Sequence, residues 1–448
     1  MGLTIKKIVW LFICQAVIIP LCTAQDIIKP NDFMFLEGLT KAVLDSSRIQ
    51  PGQQLVAPFG ANNTGGVLIR PGGRATYPSF WIRDYAMTLS SGFVANEEQK
   101  HMLLLTASTQ CNQSWITKGG SLVPLGAIAD HIRVDDRKPI YFPGTYDYEE
   151  QGVEEFGMTP PYCDQFYFIE MADYYLRTTN DDKILEEKIK GTRLIDRLEM
   201  AFKVPPSRAQ SALVYTTDNF RGVDFGFRDA IRITGDLSYP SILKYRAALQ
   251  LAAIFDRLKD QEKGKIYRHI AQRLKEEIPR TFLNRDGMLR AANGKSGQPD
   301  VWGTALAIYL GILEDGAALW AAQHLANAYQ NGKLAYKGSV RHIIAGEDFS
   351  EETAWEDAIV PHNQYQNGAY WGTATGWVAF AIAQVDESLA SQLVSEYIDG
   401  LRESDFRKGG EFSGPYECYY PPQYTRGPVY LTTVSCPYSV LKSMLQKK

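Results

Sequence analysis

The chain has 448 residues, of which 45% are hydrophobic and 22% charged. That is an ordinary globular composition and enough to bury a large core. Its formal charge of −4 becomes −6 without residues 1–24, which hold Lys6, Lys7 and no acid; a mildly acidic chain with no basic stripe makes a poor nucleic-acid binder.

Residues 1–24 read as a secretory signal: Lys6 and Lys7, an apolar run over 8–21, then Cys22-Thr23-Ala24 as a small-residue cleavage site before Gln25. The run is short of the roughly 20 residues a membrane span needs, and no later stretch suits a transmembrane helix. A secreted or periplasmic location is therefore expected, with 25–448 as the mature chain. Cys111, Cys163, Cys418 and Cys436 then remain. Their wide spacing fits no zinc pattern, and free thiols are at least as expected as bridges.

Helical periodicity dominates the rest. Residues 32–46 form a first helix with an apolar stripe of Phe33, Phe35, Leu36, Leu39 and Val43. A Gly/Pro-rich loop over 60–78 leads to a weakly charged helix at 79–95 and its partner at 97–117. The irregular stretch 118–161 is long enough inside a compact domain to suggest function. Helices follow at 164–178 (apolar) and 181–200 (two-faced). After a loop over 204–237 come 238–258 (apolar), 262–282 (amphipathic), 301–313 (apolar) and 316–329 (amphipathic). A long loop then precedes 367–383 (apolar) and 387–402 (amphipathic), and a loop over 403–428 leads into a last apolar helix at 429–445. Trp302-Gly303-Thr304-Ala305 and Trp371-Gly372-Thr373-Ala374 repeat one phrase, each opening a stretch without charge, 302–313 and 371–383.

Six apolar helices alternating with six amphipathic ones predict an inner ring buried all round and an outer ring half in water. The expected fold is an all-α, closed (α/α)6 toroid in one domain over 25–448. An open solenoid is disfavoured by the long, specialised loops and the lack of capping repeats. Each long loop (60–79, 118–163, 204–237, 284–299, 337–366 and 403–428) precedes an apolar helix, so a closed ring gathers all of them at one mouth. Such a mouth, lined by Trp, Tyr and carboxylates, suits sugars: aromatic faces cover the apolar faces of pyranose rings and carboxylates accept from hydroxyls.

Three loops carry a resemblance. Trp81-Ile82-Arg83-Asp84 opens the first apolar helix. Arg221-Gly222-Val223-Asp224-Phe225-Gly226-Phe227-Arg228-Asp229 precedes the third. Gly409-Gly410-Glu411-Phe412-Ser413-Gly414-Pro415-Tyr416-Glu417 precedes the sixth. With the helix order, these loops resemble the six-hairpin glycosidases, the helical-toroid glycoside hydrolases that include glucoamylase-like enzymes. The resemblance implies that Arg83 and Asp84 grip hydroxyls of the terminal sugar, a guanidinium fork beside a carboxylate acceptor. Asp near a helix N-terminus is favourable in any case.

The resemblance also puts a general acid in the second loop, Asp229 or Asp224, with Phe225 and Phe227 available to raise its pKa. The loop departs from the family's paired Glu, and Arg228 turned towards Asp229 would lower that pKa and favour Asp224. The third loop is implied to carry the base, Glu417 among Tyr416, Tyr419 and Tyr420, or else Glu411. Trp81, Trp302, Trp355, Glu356, His362, Gln366, Trp371 and Tyr416 are expected to line the pocket, while Asp300 is as well placed to cap a helix. The six histidines show no metal-ligand pairing; neither a metal nor an organic cofactor is implied.

The reading is a glycoside hydrolase acting on an oligo- or polysaccharide by two-carboxylate acid–base catalysis, inverting if the carboxylates stand roughly 6.5–9.5 Å apart. A polysaccharide lyase or sugar epimerase on the same barrel, or a glycan-binding protein that has lost its acid, are the alternatives.

Overall fold

The computed structural model describes residues 27–74, 77–219 and 228–446; the segment 1–24 expected to be a leader, and Asp224, lie outside them. In chain order the helices are α1 Pro30–Ser47, α2 Ile82–Thr88, α3 Asn96–Thr109, α4 Tyr162–Thr179, α5 Leu194–Lys203 and α6 Ser238–Arg257. Then follow α7 Gln261–Phe282, α8 Val301–Tyr309, α9 Asp315–Gln330, α10 Thr375–Ala383, α11 Glu387–Ser404 and α12 Leu431–Gln446. The even-numbered helices form a ring. Each touches the next, α2 to α4, α4 to α6, α6 to α8, α8 to α10 and α10 to α12, and α12 returns to α2. The ring closes.

The odd-numbered helices pack outside it: α3 and α5 on α4, α7 on α6, α9 on α8 and α10, α11 on α10, and α1 on α12. Side-chain patterns explain the two layers. In α7 only Gly264, Tyr267, Ala271, Leu274, Ile278 and Phe282 are buried, one stripe at three- and four-residue spacing. In α4 every residue from Tyr162 to Leu176 is buried, and in α8 every residue from Val301 to Ile308. A helix covered on all sides tolerates few charges: α8 carries none, whereas α4 buries three acids, Asp164, Glu170 and Asp173.

Three local expectations are corrected. The helix expected over 181–200 is a 3-10 turn, Asp182–Glu186, then a hairpin pairing Lys188–Ile189 with Thr192–Arg193, and only then α5. Lys190 and Gly191 take positive φ in the connecting turn, a conformation no helix allows. Residues 79–81 are a strand paired with His131–Arg133, so α2 starts at Ile82. The two Trp-Gly-Thr-Ala phrases are not equivalent: Trp302 lies in the first turn of α8, whereas Trp371 bridges to Val340 ahead of α10. All four cysteines of the described residues are free and buried. No helix among those residues is long and apolar enough to cross a membrane.

Candidate active site

One cavity of about 240 Å³ opens where the loops before the inner helices converge. Trp81, Arg83 and Asp84 enter it from the start of α2, Asp130, His131 and Tyr146 from the loop before α4, and Asp229 from the loop before α6. Tyr365 comes from the loop before α10, and Glu417, Arg426 and Tyr430 from the segment before α12. Ring closure alone makes neighbours of residues separated by hundreds of positions.

Arg83 and Asp84 form the floor. Asp84 Oδ1 accepts a 2.6 Å hydrogen bond from the Tyr430 hydroxyl, and Oδ2 lies 3.4 Å from Arg83 Nη2. Burial pushes the Asp84 pKa up; Arg83 and the Tyr430 bond oppose the rise. The Arg83 guanidinium stands in the field of Asp84, Asp229, Asp130 and Asp164. The wall is aromatic: Trp81 stacks on His131 at 4.4 Å and meets Tyr77 and Tyr146 edge-on. His131 Nδ1 is 2.7 Å from Asp130 Oδ2.

Glu417 lies in the strand Tyr416–Tyr420, which pairs with Tyr424–Pro428. The residue is 2% exposed. Its Oε2 accepts a 2.6 Å hydrogen bond from Tyr77 and lies 3.7 Å from Arg426 Nε, and the Arg426 guanidinium sits 4.1 Å from the Tyr365 ring. Burial pushes the Glu417 pKa up to about 7; Arg426 and Tyr77 resist, while Asp84 and Asp229 add to the rise. The partner strand leaves room for it only through Gly427, where a Cβ would stand 2.5 Å from that of Glu417.

Asp229 is half-buried and held from both sides in sequence. The Gln366 amide donates to Asp229 Oδ1, and its own oxygen accepts from the Ala230 N–H at 2.8 Å. Arg228 turns to Asp300 instead of Asp229, at 2.5 Å and with both side chains wholly buried. Asp300 also caps α8 through the Gly303 N–H. The loop before α8 thus acts on the mouth indirectly, by anchoring the residue next to Asp229.

Several expected lining residues are elsewhere. Trp302, Trp355 and Trp371 are wholly buried core. Trp302 stacks on His342 at 3.9 Å and meets Trp371 edge-on, and Trp355 lies against Arg228. Their rings have no free face for a sugar. Glu356 accepts from the backbone N–H and hydroxyl of Thr234, and His362 lies 3.8 Å from Asp348; neither lines the cavity. Gln366 is buried behind Asp229, to which its amide donates. Glu411 is exposed on a loop, and Tyr416, Tyr419 and Tyr420 line a different cleft.

Tyr365, in the expected lining segment 362–367, does line the mouth; Tyr77, Asp130, His131, Tyr146, Arg426 and Tyr430 line it without a signal of their own in the sequence. Their loops were recognisable by length and aromatic content; which side chains turn inward was not. Among the described residues no cluster of His, Cys, Asp or Glu could hold a metal ion.

No protein-family model and no curated protein matches the sequence. The backbone does match solved structures. A rhamnosidase from Klebsiella oxytoca with rhamnose bound aligns at a TM-score of 0.55 and 11% identity, covering 93% of this chain and 64% of that one. The fold is that of the six-hairpin glycosidases. A mannosylglycerate hydrolase from Thermus thermophilus, solved in complex with glucose, aligns at 0.53 and 13% identity over 90% of this chain and 99% of that one. Glucoamylase from Hormoconis resinae aligns at 0.54 and 12% identity over 93% and 74%. This chain therefore spans less than two thirds of the rhamnosidase but nearly all of the mannosylglycerate hydrolase. At such identities the likeness is one of fold.

Proposed function

We propose that this six-hairpin toroid is a glycoside hydrolase acting on an oligo- or polysaccharide, exported by its N-terminal leader. One observation carries the reading: Asp229 and Glu417, from loops of different hairpins, enter one cavity together with Trp81 and the Arg83–Asp84 pair. The likeness to toroids named as glycosidases supports it. A sugar ring lies against Trp81, with its hydroxyls divided between the Arg83 fork and the Asp84 carboxylate. Glu417 serves as base, taking a proton from the water that attacks the anomeric carbon. An acid of the loop before α6, Asp229 or Asp224, gives its proton to the glycosidic oxygen as the carbon–oxygen bond breaks. Attack from the side opposite the leaving group inverts the anomeric configuration.

A second reading has one observation in its favour. Asp229 Oδ1 already accepts from Gln366, which suits an acceptor of sugar hydroxyls better than a proton donor. A glycan-binding protein without turnover would use it so. The test is purified protein against a panel of plant and host glycans, with Asp224→Asn, Asp229→Asn and Glu417→Gln alongside. Turnover should fall by about 10²–10⁴ in Glu417→Gln and in one of the two Asp variants. Wild-type turnover in all three refutes the site, and tight binding without cleavage by the wild type selects the second reading.

A further inference from the structure

The hairpin that carries Glu417 divides two cavities. Glu417 and Arg426 enter the mouth, whereas Tyr416, Tyr419, Tyr420 and Tyr424 of the same hairpin line a second cleft of about 350 Å³ against the C-terminal end of α11. That volume falls within the roughly 300–1,000 Å³ typical of ligand clefts. We propose that this cleft is an accessory saccharide site, which holds a distal segment of the same glycan that enters the mouth; the proposal rests on the glycosidase reading above.

The lining has the chemistry of a sugar platform. Tyr336, 39% exposed, and half-buried Tyr420 both flank Tyr370, at 5.8 Å each, with Tyr420 stacked at 19°. Tyr419 locks the group by donating from its hydroxyl to the Tyr336 carbonyl at 2.8 Å. Rings fixed before the ligand arrives lose no freedom on binding. At the rim Lys337 pairs with Glu403, both substantially exposed. An exposed ion pair is worth about 0–1 kcal/mol, so both ends can exchange each other for hydroxyls at little cost. A donor and an acceptor side by side suit a neutral ligand whose every hydroxyl does both. A proline-rich peptide would use the same ring faces but would leave that pair unmatched.

Two sites on one hairpin make the second binding event intramolecular, so a long glycan gains where a short one does not. The experiment uses Glu417→Gln protein, which retains glycan without turning it over. An array of plant and host glycans selects those retained. Each is then titrated calorimetrically into Glu417→Gln alone, with Tyr336→Ala/Tyr420→Ala added, and with Trp81→Ala added. The double Tyr→Phe variant and thermal melts check that the cleft still folds. The longer glycans should bind at least about tenfold more weakly without the two tyrosine rings, the Phe variant should keep most of the affinity, and the shortest should respond to Trp81→Ala only. Binding of every length that responds to Trp81→Ala alone overturns the accessory site and leaves the glycosidase reading standing. Loss only on tyrosine removal, with no response to Trp81→Ala, keeps the cleft as a site and removes the mouth. An array that retains nothing sinks both.

Discussion

Glu417→Gln should stabilise the protein at alkaline pH while lowering turnover by about 10²–10⁴. A carboxyl whose pKa is about 7 when folded and near 4.5 when unfolded binds its proton more tightly in the native state. Between those two pH values the native state therefore holds more protons, and stability falls as pH rises. Each tenfold change in a proton equilibrium is worth about 1.4 kcal/mol, so the ionised, buried carboxylate costs the fold about 3 kcal/mol above neutrality. Glutamine keeps an oxygen for the Tyr77 hydroxyl and carries no charge. The assay is urea denaturation of both proteins at about pH 8.5 and about pH 4.5, where the carboxyl is ionised or largely protonated in the fold. The variant should gain about 3 kcal/mol on wild type at the higher pH relative to the lower. A difference that does not change with pH would refute the buried-carboxylate account. The base would then sit in an unstrained setting, and its place in the mouth would need another explanation.

Three further outcomes test the site and its frame. Tyr77→Phe removes the hydrogen bond that holds the Glu417 pKa down, so the acidic limb of the pH–rate profile should move to higher pH; an unmoved limb would detach Tyr77 from the base. Gly427→Ala puts a methyl group 2.5 Å from the Glu417 Cβ at a residue with φ of 59°. Displacing the base by an ångström should cost about 100-fold in kcat, and wild-type kinetics would show that the hairpin yields freely. Trp302→Ala should lower stability by about 3–5 kcal/mol in denaturation while leaving glycan affinity unchanged in calorimetry. Lost affinity in a stable variant would return Trp302 to the pocket.

The resemblance to a toroid rests on features that travel with local sequence. Apolar stretches without charge, such as 302–313, need burial on every side, and one-faced stretches such as 262–282 need a single neighbour; alternating them six times leaves few arrangements besides two concentric layers. Loop length and aromatic content likewise marked one end as chemical. Where local chemistry competes with periodicity the legibility stops. Gly191 ended an apparent helix by taking positive φ, and 79–81 joined a strand because a partner lay fifty residues on, at His131–Arg133. Tryptophan is equally at home in a core and under a sugar, so Trp302, Trp355 and Trp371 could not be told from Trp81 by type.

Residue order alone determined that the chain makes two layers and that the long loops bearing the candidate acids gather at one end, since hydrophobic burial and turn chemistry act over a few positions. Only the closed ring decided which acids share a cavity, that Arg228 turns to Asp300 and away from Asp229, and that one hairpin gives Glu417 and Arg426 to the mouth and its tyrosines to a second cleft. Those are contacts between segments up to 350 positions apart, such as Tyr77 with Glu417 and Tyr430 with Asp84. The free energy of such contacts, the burial that moves the Glu417 proton included, exists only once the ring has brought them together.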